Sequence, residues 1–271
     1  MIVTHNMIYL NTANKLTKDE KNRSESMRKI SSGLKINRAG DNAAGSGIST
    51  SLKAKILSLS RAQVNVQEGL GVTGAVTKSL DNIVNDSLGR LKELSMGAAN
   101  ATSGPFDKQA AQGEIEQILK DIDSTAAGTK YNGKNLLSPP LESISLQVGF
   151  RTEDTFKIDL FDATVENIGL SGINVLSKEN ALSAMDKIDK AIDMVSGYVS
   201  KAGAYETNLS YMSNSLSDYE LKLTKSDSNI EDADVAKESL EFTQYNIITQ
   251  ATQALLVQAN QSPESIIQLL K

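Results

Sequence analysis

Residues 188–230 read IDKAIDMVSGYVSKAGAYETNLSYMSNSLSDYELKLTKSDSNI, and this stretch decides the fold class. Ile188, Val195, Ala202, Leu209, Leu216, Leu223 and Ile230 recur every seven residues without a break. A companion row follows three or four positions on, at Ala191/Ile192, Tyr198/Val199, Tyr205, Met212 and Tyr219. An apolar seam of that period belongs to a helix lying along another helix. It predicts one helix from about Glu179 to Ile230, about 75–80 Å long at 1.5 Å per residue. A rod of that length predicts an elongated molecule.

Working outward, the first half supplies a partner for the seam. Ile48, Leu52, Ile56, Leu59, Val66, Leu70, Val76, Leu80, Ile83/Val84, Leu88, Leu91 and Leu94 keep to one face of one long helix or two collinear ones. That helix ends near the loop from Ala99 to Gly104, and Pro105 then opens a shorter one. Asp107 is expected as its N-cap, with Ile115, Ile118, Leu119 and Ile122 as its stripe and Gly128 as its stop. Between the helical halves the period changes to two, at Ile144, Leu146, Val148 and Phe150 and again at Phe156, Ile158 and Leu160. With 151–155 as the connection this predicts a β-hairpin, which is marginal alone and must lie on the helices. The Pro139-Pro140 pair guards its entrance, because proline cannot donate to a ladder.

Composition agrees with this order of helices, small β insert and helices. The 271 residues contain four prolines, at positions 105, 139, 140 and 263, so two stretches of more than a hundred residues are free to run as helix. Aromatic residues make up 4% with no Trp, which is little for the core of a globular enzyme of this size. The net charge of -5 argues against a general nucleic-acid binder. Absence of cysteine excludes disulfides, thiol catalysis and cysteine-held zinc.

Little in the chain points to chemistry. Gly69, Gly71 and Gly74 match GxGxxG, but half-polar residues precede them and no βαβ series follows, so close helix packing is the favoured reading. His5 is the single histidine and supports neither a triad nor a metal site. Glu231, Asp232 and Asp234 form an acidic knot that lacks the spacing of a calcium loop and reads as a turn between helices. Arg90, Lys92 and Glu93, with Glu114 and Glu116, read as a charged helix face. The residues therefore predict no catalytic site, no metal and no cofactor.

The two ends differ from the middle. Residues 7–34 carry a thin apolar stripe of Met7, Leu10, Ala13, Leu16, Met27, Ile30 and Leu34. Residues 247–270 carry Ile247, Ile248, Ala251, Leu255, Leu256, Ile266, Ile267, Leu269 and Leu270. From Phe242 to Pro263 there are 22 positions without a charge, half of them Gln, Asn, Thr or Ser, which is too polar for a membrane span. Amphipathic helices without partners are marginal. Both ends are therefore expected to be poorly ordered in a lone monomer, and their partner is either each other or another copy of the chain. The first residues have no basic region followed by an apolar run, which argues against a Sec signal peptide.

Several stretches together resemble bacterial flagellin. Residues Ile30 to Asn37 (ISSGLKIN), followed by Asp41-Asn42-Ala43-Ala44-Gly45, are similar to that family's N-terminal signature. Ile230-Glu231-Asp232-Ala233-Asp234 resembles the acidic motif before its last helix. Leu256-Val257-Gln258-Ala259-Asn260-Gln261-Ser262-Pro263, ending in Leu269-Leu270-Lys271, resembles its C-terminus, and Tyr131-Asn132-Gly133 ahead of Leu136-Leu137 also fits. The likeness covers both helical halves in order. It departs in lacking the large variable outer domains, for which the short segment 139–177 stands.

The resemblance implies a mainly α fold: an elongated antiparallel helical bundle or coiled coil with a small β-hairpin insert, and terminal helices pairing as a coiled coil. Residues 1–40 and 235–271 would be the arms of the filament core domain, and 41–234 the helical rod. It implies a structural, non-enzymatic subunit that polymerises into the flagellar filament for motility. Met7, Leu10, Leu16, Ile247, Ile248, Leu255, Leu256, Ile266, Leu269 and Leu270 would pack its core. Further implied are export by the flagellar type III apparatus with a secretion chaperone, an extracellular location, and contact with filament-cap and hook-junction proteins. Toll-like receptor 5 is implied through Arg90, Leu94 and Glu114, weakened by Gly89 where a longer polar side chain is usual. The alternatives are a hook–filament junction protein and, from another class, a soluble coiled-coil adaptor of the secretion apparatus.

Overall fold

A computed structural model describes residues 6–269, with side chains described as far as residue 261. The chain divides into two compact units, residues 1–56 with 221–271, and residues 57–220. In chain order the elements are α1 (Met7–Ser32), α2 (Ala43–Asn82), a π-helical turn (Ile83–Leu88), α3 (Gly89–Ala99), α4 (Pro105–Gly128), β1 (Lys130–Tyr131), β2 (Lys134–Asn135), β3 (Ile144–Gln147), β4 (Thr155–Ile158), α5 (Lys178–Glu231) and α6 (Val235–Leu269). Helix α5 has 54 residues, within a position or so of the expected bounds.

In the unit 57–220 the seam does what its period requires. Ile188, Val195, Ala202 and Leu209 are buried. They share their cores with Val66, Val72, Val76, Leu80, Leu88 and Leu91 from the first half and Ile115 and Ile122 of α4. The π-helical turn was not expected from the helical period. It lets the Gly89 N–H reach back five residues to the Val84 carbonyl, and so keeps Leu88 and Leu91 on the buried side after Leu80 and Ile83.

Helix α4 begins at Pro105, whose missing N–H costs nothing at a first helical position. Asp107 is not the N-cap. It lies inside the first turn and its carboxylate accepts the Gly104 N–H at 3.0 Å, capping from within because proline occupies the first position. Gly128 is the last helical residue, as expected of a stop.

The insert folds as a hairpin whose strands are shorter than the alternation suggested, with Ile144 opposite Ile158 and Leu146 opposite Phe156. It rests on the helices, since Leu146, Val148, Phe156, Ile158 and Leu160 pack against Val66 and Leu209. The companion row of α5 serves this insert. Tyr198 stacks on Phe161 at 4.9 Å, Tyr205 meets Phe156 edge-on at 5.9 Å, and Tyr219 lies 6.2 Å from Phe150. A second, two-residue hairpin turns at Asn132-Gly133, both with positive φ as a tight I′-type turn requires. After β4 an irregular segment still buries Phe161, Val165, Ile168, Leu170 and Val175. Asp123 Oδ1 receives its Val165 N–H, and the Gln112 amide holds Ile173 O and Val175 N.

Candidate assembly site

The unit built from the two ends contains the antiparallel pair of α1 and α6 and the joint that closes it. The joint unites two motifs nearly two hundred residues apart in the sequence. Gly33 ends α1 in the left-handed region (φ 72°), a conformation that glycine adopts freely, and its N–H returns to Lys29 O at 2.8 Å. Beyond it, Lys35 N–H donates to Glu231 O at 2.6 Å, and Ala233 N–H to Gly33 O at 2.9 Å, so Leu34 and Asp232 form a β-bridge.

Each acid of the knot has its own task. The Glu231 carboxylate is paired with Lys53 and accepts the Ser49 hydroxyl at 2.7 Å. The Lys53 ammonium, then the Ser49 hydroxyl, hold Glu231 below the ordinary carboxyl value of 4.5. Glu231 in turn raises the Lys53 pKa. Asp232 accepts the Ser228 hydroxyl at 2.5 Å, and Asp234 caps α6 by accepting the N–H groups of Ala236 and Lys237. Asp41 receives the N–H groups of Asn37 and Arg38 and pairs with Arg28 at 3.3 Å, and the Asn37 N–H bond leads in lowering its pKa.

Helix α6 packs on α1, with Asn6 bonded to Ala259, Arg23 to Asn246 and Lys29 to Glu238 at 2.9–3.5 Å. Among the described side chains, the buried positions are Asp19 and Ser26 on α1 and Glu238, Thr249, Thr252 and Ala259 on α6. The seam of the pair is thus largely polar, and Asp19 Oδ2 and Thr249 Oγ1 have no hydrogen-bond partner in it. Part of the uncharged Thr-rich run therefore faces its own partner helix. Several large apolar side chains point elsewhere: Met7, Leu10, Ile247 and Leu255 are 60%, 52%, 63% and 57% exposed. Ile8, Leu240 and Val257 are exposed as well, while Leu16, Ile248 and Leu256 are half-buried. Hydrophobic spacing alone could not show that the stripes face away from each other. The side chains of Ile266 and Leu269, and all of His5 and Leu270, lie outside the described residues.

The other candidates lie in the unit 57–220. Arg90 Nε bonds Glu114 at 2.8 Å and its Nη1 bonds Glu93 at 2.6 Å, so Arg90 and Glu114 are brought together, and these partners raise the Arg90 pKa, Glu114 first. Leu94 beside them is half-buried. The GxGxxG stretch lies within α2, and among the described residues no strand precedes it. A Cβ on Gly69 would collide with Leu146 and press on Leu209 at 3.3 Å, so this glycine makes room for the β insert. No helix among the described residues is long and apolar enough to cross a membrane.

Comparison with known proteins follows the same division. A family model of the bacterial flagellin N-terminal helical region matches residues 3–139, and one of the C-terminal helical region matches 185–270. Flagellin of Halalkalibacterium halodurans is 35% identical over 273 residues, and flagellin of Bacillus subtilis 33% identical over 311, each alignment covering the whole of both chains. The crystal structure of Bacillus cereus flagellin aligns with a TM-score of 0.52 at 25% identity, over 56% of this chain and 88% of that one. A flagellar hook-associated protein of Vibrio parahaemolyticus aligns with a TM-score of 0.60 at 17% identity, over 71% of this chain and all of that one, a likeness of fold alone. Two helical halves matched in order, and relatives alike from end to end, mean that the chain belongs to the bacterial flagellin family of structural filament proteins.

Proposed function

We propose that this chain is the subunit that self-assembles into the extracellular flagellar filament for motility, polymerising through its terminal helix pair. The observation that carries this reading is the inverted pair: a polar seam inside, and Met7, Leu10, Ile247 and Leu255 exposed outside. Exposed apolar surface of that extent marks an interaction site. Burying each such side chain contributes roughly 1.5–3 kcal/mol. Residues 1–40 and 235–271 are the arms of the filament core domain, and 41–234 form the rod. Leu16, Ile248 and Leu256 brace the pair. Ile266, Leu269 and Leu270 extend the apolar pattern in the sequence. The chain works mechanically and not as an enzyme. It leaves the cell through the flagellar type III apparatus with a secretion chaperone, and meets cap and hook-junction proteins at the filament ends. Flagellin relatives along the whole chain favour this reading over a junction protein or a soluble adaptor.

Purified chain seeded with sheared filament ends tests it by negative-stain microscopy. Filaments are expected from the intact chain and none after removal of 235–271. A stable dimer in both cases would point to the adaptor instead. Toll-like receptor 5 recognition is proposed at the surface around Arg90, Leu94 and Glu114. A reporter assay should give a weak response to monomer, lowered further by Arg90→Ala; an equal response to both proteins removes this surface from the account.

A further inference from the structure

We propose that Asn6 is a clasp that fixes the register of the terminal helix pair, by donating to the Ala259 carbonyl that Pro263 leaves without its helical partner. In an α-helix the carbonyl of residue i accepts the N–H of residue i+4. For Ala259 that residue is Pro263, the only proline within α6, and proline has no N–H. Ala259 is buried, 7% exposed, so few water molecules are at hand to replace that partner. A buried carbonyl left unpaired is costly. Asn6 Nδ2 donates to this oxygen at 2.9 Å, across 253 residues of sequence.

The same side chain also begins α1. Asn6 Oδ1 accepts the Tyr9 N–H at 3.0 Å, as an N-cap does. Both halves of one amide are therefore used, and the two bonds fix which way it faces. Aspartate would serve the cap equally well but carries no donor for Ala259, and would set a carboxylate against a carbonyl. Serine would cap without a donor of that reach.

A register lock answers a need of this pair. The buried positions between α1 and α6 include the small or polar Ser26, Thr249, Thr252 and Ala259, and the large side chains Leu16, Ile248 and Leu256 are only half-buried, a weak barrier to sliding. Across α6 as far as residue 262, Ala259 is the one position whose i+4 residue is a proline. A slip of one turn would carry Asn6 to a carbonyl already bonded within its helix. The Arg23–Asn246 and Lys29–Glu238 contacts involve long side chains that can follow such a slip; the short Asn6 side chain cannot. For its consequence in filaments the clasp rests on the assembly reading, because the register decides which apolar side chains the pair presents to other copies.

A double-mutant cycle on the full chain tests it, with Asn6→Asp and Pro263→Ala read by hydrogen exchange of residues 7–16 and 252–261 in the monomer. Alanine at position 263 gives Ala259 a backbone donor, so the clasp should become dispensable there. The expected result is about a tenfold loss of protection in both segments on Asn6→Asp with Pro263 present, and less than about twofold with Pro263→Ala. Asn6→Ser, which keeps a cap without adding charge, should follow the same pattern. Equal losses in both backgrounds, or no loss in either, would overturn the clasp. In filaments, Asn6→Asp should raise the monomer concentration at equilibrium, and Pro263→Ala should restore it. A chain that never polymerises but shows the coupling defeats the assembly reading alone; one that polymerises without coupling defeats the clasp alone.

Discussion

Along α5, from Ile188 to Leu209, the seam residues are sealed inside their own unit, whereas along α6 the side chains turned toward α1 are Glu238, Thr249 and Thr252, and Ile247 and Leu255 point away. Both helices carry apolar residues at helical spacing. In the unit 57–220 the partner for that stripe is supplied by the same chain, with aromatic contacts at Phe161–Tyr198 and Phe156–Tyr205 closing the insert over it. In the terminal pair the chain supplies a polar partner and leaves the apolar stripe open. Apolar periodicity thus marks a face, and does not say whether the chain itself covers it. On the assembly reading proposed above, the open stripe is the part that would gain its burial in the polymer.

The largest expected effect breaks the comparison on its self-contained side. Ile122 is fully buried among Leu80, Leu91, Ile115 and Ile188 in the core of the unit 57–220. Ile122→Ala should cost the monomer about 2–5 kcal/mol, through lost transfer energy and a residual cavity, measured by urea unfolding. A loss of only a few tenths would mean that this core is not the stable part of the chain.

The opposite side predicts the opposite signature. Ile247→Ser and Leu255→Ser together should change monomer unfolding by no more than about 0.5 kcal/mol, as substitutions at exposed sites do. The monomer concentration in equilibrium with filaments should rise about tenfold or more, since each side chain loses its burial in the polymer. If the pair of substitutions instead unfolds the monomer and leaves assembly intact, the stripes serve the chain itself and the contrast drawn above is wrong.

Much of the self-contained unit was legible in the sequence. The heptads of 188–230 gave the longest helix, Pro105 its neighbour's start, and the alternation at Ile144–Phe150 the hairpin. The π-helical turn was harder to see, because its only trace is the five-residue step from Ile83 to Leu88 inside a pattern of threes and fours. The buried segment from Phe161 to Val175 has no period at all; its backbone is satisfied by Asp123 and Gln112, which sit elsewhere in the chain. The joint was legible only as two motifs, since nothing in ISSGLKIN announces that its backbone pairs with Glu231 and Ala233. The terminal pair was legible as two stripes and not as a seam. Its polar layers look, in one dimension, like the solvated side of each helix.

The smallest effect concerns that joint, and sharpens which of its bonds matter. Glu231 has its pKa lowered by Lys53 and Ser49, so its contribution is complete above the ordinary value of 4.5 and is lost as pH falls through the lower folded value. Lys53 has its pKa raised above 10.5, so its share is complete below 10.5 and is lost as pH rises through the raised value. Between these limits the ion pair is intact, and because Lys53 is half exposed its contribution is screened. Glu231→Gln keeps an acceptor for Ser49 and removes the charge. Exchange protection of the Lys35 and Ile36 N–H groups, corrected for intrinsic rates, should be modestly lower in the variant at pH 7, and the two proteins should converge as pH falls through the lowered Glu231 value. Asp41, whose pKa is also lowered from 3.8, adds an acid dependence common to both proteins. A difference that stays constant from pH 7 to pH 3 would assign the joint to its backbone bonds, Lys35 N–H to Glu231 O and Ala233 N–H to Gly33 O, with the carboxylate idle.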